Sequence, residues 1–123
     1  MTALLVALGG AVGTLGRYGI GLLLARIPGQ FPWGTFAVNV VGSLLIGLVM
    51  AGFAARGELD SQARMALTIG VLGGFTTYSA FAYELVFLVE KKQWAVAATY
   101  VGLTFALSAA ACAAGIALIR GLR

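Results

Sequence analysis

The chain has 123 residues, of which 61% are hydrophobic and 10% charged, with a formal net charge of +4 and a mean hydropathy of +1.01. That composition excludes an ordinary soluble domain and sets nearly every helix face against lipid or another apolar helix. With no histidine, one cysteine and acidic residues only at Glu58, Asp60, Glu84 and Glu90, one chain can assemble no disulfide, metal cluster or catalytic carboxylate pair, and its scattered basic residues form no phosphate-gripping patch.

The first apolar stretch, about residues 2–24, carries one charge, Arg17, which must snorkel or face an aqueous pocket. It has neither the basic n-region nor the cleavage site of a secretory signal, so it is expected to be mature structure. Gly9, Gly13 and Gly16 share one helical face and let another backbone approach closely. After "RIPGQFPW", with both prolines and the interfacial Trp33, comes an uncharged second span at about 33–55. It carries Thr35, Asn39 and Ser43 at i, i+4 and i+8. The loop "RGELDSQAR" leads to a third span at about 65–89, and "EKKQW", with Trp94 as anchor, to a fourth at about 94–119. There Tyr100, Thr104 and Ser108 repeat the i, i+4, i+8 spacing, and "ALSAAACAAG" is a small-residue packing face in which Cys112 reads as a small buried residue. Amide and hydroxyl groups aimed at lipid are costly, so both polar stripes are expected to face protein or water.

Short connections make the four helices run up and down as one domain. One side then carries Arg56, Arg64, Arg120 and Arg123, and the other Arg26, Lys91, Lys92 and Arg17. The positive-inside rule has almost nothing to act on. Either a weak bias decides insertion, or the chain inserts both ways and pairs as an antiparallel dimer about an axis in the membrane plane.

The third span contains "GGFTTYSAF" near its middle. Gly73 and Gly74 each weaken a helix by about 1 kcal/mol relative to alanine, and Thr76, Thr77 and Ser79 can hydrogen-bond the local backbone in place of the helical ladder. On one reading the glycines allow close packing and the hydroxyls bond back to i−4 carbonyls. On the other the helix is broken, and its freed carbonyls line a cavity or hold a cation. Beside the two stripes, the second reading gives a pathway of neutral donors and aromatic ring edges with no acidic ring, which suits an anion, with Arg17 near its mouth.

"GGFTTYSAF", with "GRYG" in the first span and "GTFAVNVVGSLLIG" in the second, resembles the Fluc (CrcB-type) fluoride channels over essentially the whole chain. The resemblance implies an all-α membrane protein of four transmembrane helices, the third broken at its centre, in an antiparallel dual-topology homodimer. It implies passive fluoride efflux across a bacterial inner membrane, relieving fluoride toxicity, with two pathways and a structural Na+ at the dimer centre. Carried over by motif position, the Gly73 and Thr76 backbone carbonyls hold the sodium. Asn39, Tyr78, Phe81, Tyr100, Thr104 and Ser108 line the fluoride pathway, and Arg17 faces the vestibule. Ser79 and Thr35 neighbour the pore, and Glu84 ranks lower because a carboxylate repels an anion unless paired or protonated. Tyr78 and Ala80 depart from the family's phenylalanine and threonine. Two other classes compete. A small multidrug-type, proton-coupled exporter needs a membrane-buried carboxylate, which the first span lacks. A non-transporting assembly subunit leaves the polar stripes without a purpose.

Overall fold

The computed structural model describes residues 1–122. Its elements are α1 (Thr2–Leu24), α2 (Trp33–Arg56), α3 (Gln62–Met65), a π-helical segment (Ala66–Leu72), α4 (Gly73–Phe75), α5 (Tyr78–Glu90) and α6 (Trp94–Gly121). No strand occurs among the described residues. Four helical runs, Thr2–Leu24, Trp33–Arg56, Gln62–Glu90 and Trp94–Gly121, are long and apolar enough to cross a membrane.

The connections end the helices by local chemistry. α2 stops at Gly57, which takes the left-handed conformation (φ 71°) and returns its N–H to the Ala54 and Phe53 carbonyls. Ser61 caps α3 by accepting the Arg64 backbone N–H at 3.2 Å. Lys92, at φ 58°, turns the chain between α5 and α6.

Glycine-mediated close approach holds the helices together. α2 packs most extensively on α6. A Cβ added at Gly47 would run into the Cys112 carbonyl, and one at Gly115 would lie 2.5 Å from the Leu44 carbonyl. α1 packs on the π-helical segment and α4. Of its predicted glycine face, Gly9 and Gly13 meet third-span backbone and Gly16 meets the Phe75 ring. Such approaches gain dispersion contacts where lipid removes any hydrophobic gain from helix pairing. The buried hydrophobic core is small, Val38, Leu72, Leu88, Ala97 and Tyr100, while Leu4, Val12, Leu15, Ile69 and Phe105 are well exposed. The outer surface is thus apolar, as a lipid-facing or partner-facing surface must be.

Two features depart from expectation. The π-helical segment has no counterpart in the sequence reading. The weak glycine doublet is itself helical, with Gly73 at φ −64°, ψ −36°, and Gly74 lies against α1, where a Cβ would come within 2.5 Å of the Gly10 carbonyl. It is Thr76 and Thr77 that take extended conformations, at φ −83°, ψ 160° and φ −153°, ψ 119°.

Candidate functional site

The two extended threonines organise the polar groups of the molecule. In a regular helix the Thr77 N–H would donate to the Gly73 carbonyl and the Ala80 N–H to the Thr76 carbonyl. Instead Thr77 N–H donates to Asn39 Oδ1 at 2.9 Å, and Ala80 N–H donates to Thr77 Oγ1 at 3.2 Å, capping α5. Asn39 Nδ2 donates in return to the Thr77 carbonyl at 3.0 Å, so one α2 amide satisfies both backbone groups of Thr77. Arg17 Nε, from α1, donates to the Gly74 carbonyl at 3.1 Å. Side chains therefore serve the Gly74 and Thr77 carbonyls, while those of Gly73 and Thr76 have lost their helical donors. Thr76 Oγ1 bonds back to the Leu72 carbonyl at 2.9 Å and Ser43 Oγ to the Asn39 carbonyl at 2.6 Å, the local bonding expected of hydroxyls in membrane helices.

Two cavities flank this point, and Thr77 borders both. The first, of about 610 Å³, is lined on its polar side by Thr14, Arg17, Thr35 and Glu84, and on its apolar side by residues including Ile27 and Trp33. Glu84 accepts from Thr35 Oγ1 at 2.8 Å and from the Tyr100 hydroxyl at 2.7 Å, so α2 and α6 together satisfy the carboxylate of α5.

The second cavity, of about 720 Å³, brings together Asn39, Gly73, Thr76, Tyr78, Phe81, Thr104 and Ser108. Thr104, only 8% exposed, and Ser108 carry side-chain oxygens that are buried and have no hydrogen-bond partner among the described residues. Phe81 links aromatic neighbours, with its ring 5.8 Å from Tyr78 and 5.0 Å from Tyr100. Tyr100 is 0% exposed, and its far side meets Phe31 at 5.4 Å in an edge-on contact. A cavity with unpartnered hydroxyls, an amide and aromatic rings can replace part of an anion's hydration shell without supplying a formal charge.

The expected site residues are thus divided. Asn39, Gly73, Thr76, Tyr78, Phe81, Thr104 and Ser108 converge on the second cavity, whereas Arg17, Thr35 and Glu84 border the first. Tyr100 is buried between aromatic neighbours, and Ser79 is exposed, 3.5 Å from the Thr77 hydroxyl. The α2 stripe splits, with Thr35 facing one cavity and Asn39 and Ser43 the other. Sequence reasoning missed Thr68, Phe105 and Cys112 in the second cavity. Continuing the α6 spacing one turn past Ser108 would have reached Cys112, and Thr68 stands two turns before Thr76; Phe105 carried no polar signal.

Residues 4–116 match the family model described as CrcB-like protein, Camphor Resistance (CrcB). The fluoride-specific ion channel FluC of Agrobacterium fabrum is 46% identical over 119 residues, covering 96% of this chain and 95% of the relative. The protein of the same name from Caulobacter sp. strain K31 is 45% identical over 119 residues, covering 95% and 93%. That of Nitrobacter winogradskyi is 43% identical over 118 residues, covering 95% and 94%.

Proposed function

The chain belongs to the CrcB-like family, and from that membership we propose that it is a fluoride-selective channel giving the anion a passive way out across a bacterial inner membrane. It is a channel protein rather than an enzyme. The observation that carries the reading within the molecule is the pair of buried hydroxyls of Thr104 and Ser108, without a partner among the described residues, beside Asn39 in one cavity. A small anion loses a large hydration energy on leaving water, and only a wall of donors can offset it.

Along that wall, the Thr104 and Ser108 hydroxyls donate, as does the Asn39 amide hydrogen not used on the Thr77 carbonyl. Phe81 and Tyr78 line the same cavity, and an aromatic ring edge carries the positive potential that attracts an anion. Arg17 draws anions toward the protein while its Nε holds the Gly74 carbonyl. Glu84, bonded by Thr35 and Tyr100, is engaged in the fold rather than free for the proton exchange an exporter requires. Neutral hydrogen fluoride crosses lipid and dissociates inside a cell in acidic surroundings, so a passive exit for the anion relieves fluoride toxicity.

The third span acts as a helix interrupted at Thr76–Thr77 near the bilayer centre, and the functional unit is an antiparallel, dual-topology homodimer. The balanced basic residues support the dimer. The Gly73 and Thr76 carbonyls, relieved of their helical donors, suit a Na+ at the dimer centre, since an alkali cation takes neutral oxygen ligands. Bound there, the ion supplies a fixed positive charge that keeps these carbonyls together.

Efflux from liposomes loaded with potassium fluoride or potassium chloride and started by valinomycin tests the function. Fast fluoride release with negligible chloride release is expected. Absence of fluoride release from folded, inserted protein would overturn it.

A further inference from the structure

Cys112, the one cysteine of the chain, stands one turn past Ser108 on α6, and both border the second cavity. The thiol is free and half-buried. The helix cannot roll to hide it, because α2 comes so close that a Cβ at Gly47 would strike the Cys112 carbonyl.

A lone thiol in a membrane helix ordinarily signifies packing. The groups before it on the same face indicate otherwise. Thr104 Oγ1, on a residue 8% exposed, and Ser108 Oγ are buried with no partner among the described residues, and the cavity they border is roomy and, though mainly apolar, also holds Asn39, Ser43, Thr68 and Thr76 as polar groups. Buried hydroxyls in such a place need water or an ion to complete their bonding. The stripe Thr104, Ser108, Cys112 therefore runs along one wall of this cavity, and its last member carries sulfur in place of oxygen.

We propose that Cys112 is a modification site on the wall of the fluoride path, where one small adduct on its sulfur closes the path. The proposal rests on the reading that the second cavity carries fluoride. The ligand class is a compact thiol-directed electrophile such as an alkyl methanethiosulfonate. The Cys112 thiolate attacks the sulfenyl sulfur, the new S–S bond forms as the bond to the sulfonyl sulfur breaks, and methanesulfinate leaves with the electron pair. The thiol proton goes to water. Only a thiolate reacts, and a thiolate forms only where water solvates it, so a lipid-facing cysteine stays inert toward a charged, membrane-impermeant reagent.

The chain has one cysteine, so the native sequence serves directly. Reconstituted protein is treated with 2-sulfonatoethyl methanethiosulfonate, the adduct is read by intact mass, and fluoride efflux is measured on the same sample. The expected result is one adduct per chain with efflux reduced about tenfold or more, because the added sulfonate both fills the path and repels the anion. Reducing agent should restore the flux, and Cys112→Ser should show no response to the reagent. Complete modification with efflux intact would overturn the proposal and leave the channel reading standing. No adduct on folded protein, under conditions that label it after denaturation, would overturn it as well. Protein that carries no fluoride before treatment would sink the channel reading instead, a failure visible without the reagent.

Discussion

Asn39 spends both ends of its amide on one residue, accepting from the Thr77 N–H and donating to the Thr77 carbonyl. A carboxylate of the same size can do only the first. Asn39→Asp sets an oxygen against the Thr77 carbonyl and leaves two acceptors facing each other. The expected cost is about 1–3 kcal/mol, with fluoride efflux lost, read as a lower melting temperature in detergent and by the liposome assay. Tyr100→Phe is a narrower cut. It removes one of the two donors to Glu84 while keeping the ring between Phe81 and Phe31. The fold should survive with a loss of about 1 kcal/mol, the size expected for losing one hydrogen bond to a half-buried group that keeps another partner, again checked by thermal unfolding. Both changes act through partners far away in sequence. The candidate residue types could be picked out from spacing, but their pairing could not. Neither the Asn39 grip on Thr77 nor the bond between Glu84 and Tyr100 leaves a local signal.

At the scale of the helices, the two sides of α1 should respond oppositely to added bulk. Gly13 faces the backbone of Val71 and Phe75, and neither can give way, since a Cβ would lie 2.8 Å from the Phe75 nitrogen and still nearer the Val71 carbonyl. Gly13→Val should separate α1 from the third span at a cost of about 1–3 kcal/mol, lowering the yield of folded protein on size-exclusion chromatography. A Cβ added at Gly19 would meet no described atom within 4 Å, so Gly19→Ala should be neutral or stabilise by up to about 1 kcal/mol in the same assay. The four long apolar helices were legible because hydrophobicity and length decide them. The first starts at Thr2 and ends at Leu24, and the others fall within a few residues of expectation. The π-helical stretch "ALTIGVL" was not, since its composition suits an α-helix equally well and its packing against α1 is a contact with residues far away in sequence. The glycine doublet drew attention to the right motif for an incomplete reason. Glycine lets the chain lie against α1, while the departure from helix occurs two residues later, where Asn39 offers Thr77 alternative partners.

For the whole molecule, the even division of basic residues predicts insertion in both orientations. A reporter pair fused at the C-terminus, one active only in the cytoplasm and one only outside it, should give signal from both. Adding two or three arginines to the α2–α3 connection should move the population toward one orientation. Signal from one reporter alone would sink the dual-topology reading. If the dimer is antiparallel, the fixed-orientation variant should also lose fluoride efflux, and co-expression with an oppositely biased variant should restore it.

The grip on Thr77 also sets an order of manufacture. Its partner Asn39 lies 38 residues earlier in the chain, and Arg17 precedes its acceptor Gly74 by 57. Both donors have already been made when the extended threonines leave the ribosome, so these polar backbone groups can be received by side chains waiting in the first two spans. Glu84 meets the reverse situation, for Tyr100 emerges 16 residues later. A nascent chain halted before the fourth span would therefore already hold its two extended threonines in place while one carboxylate still awaited half of its bonding.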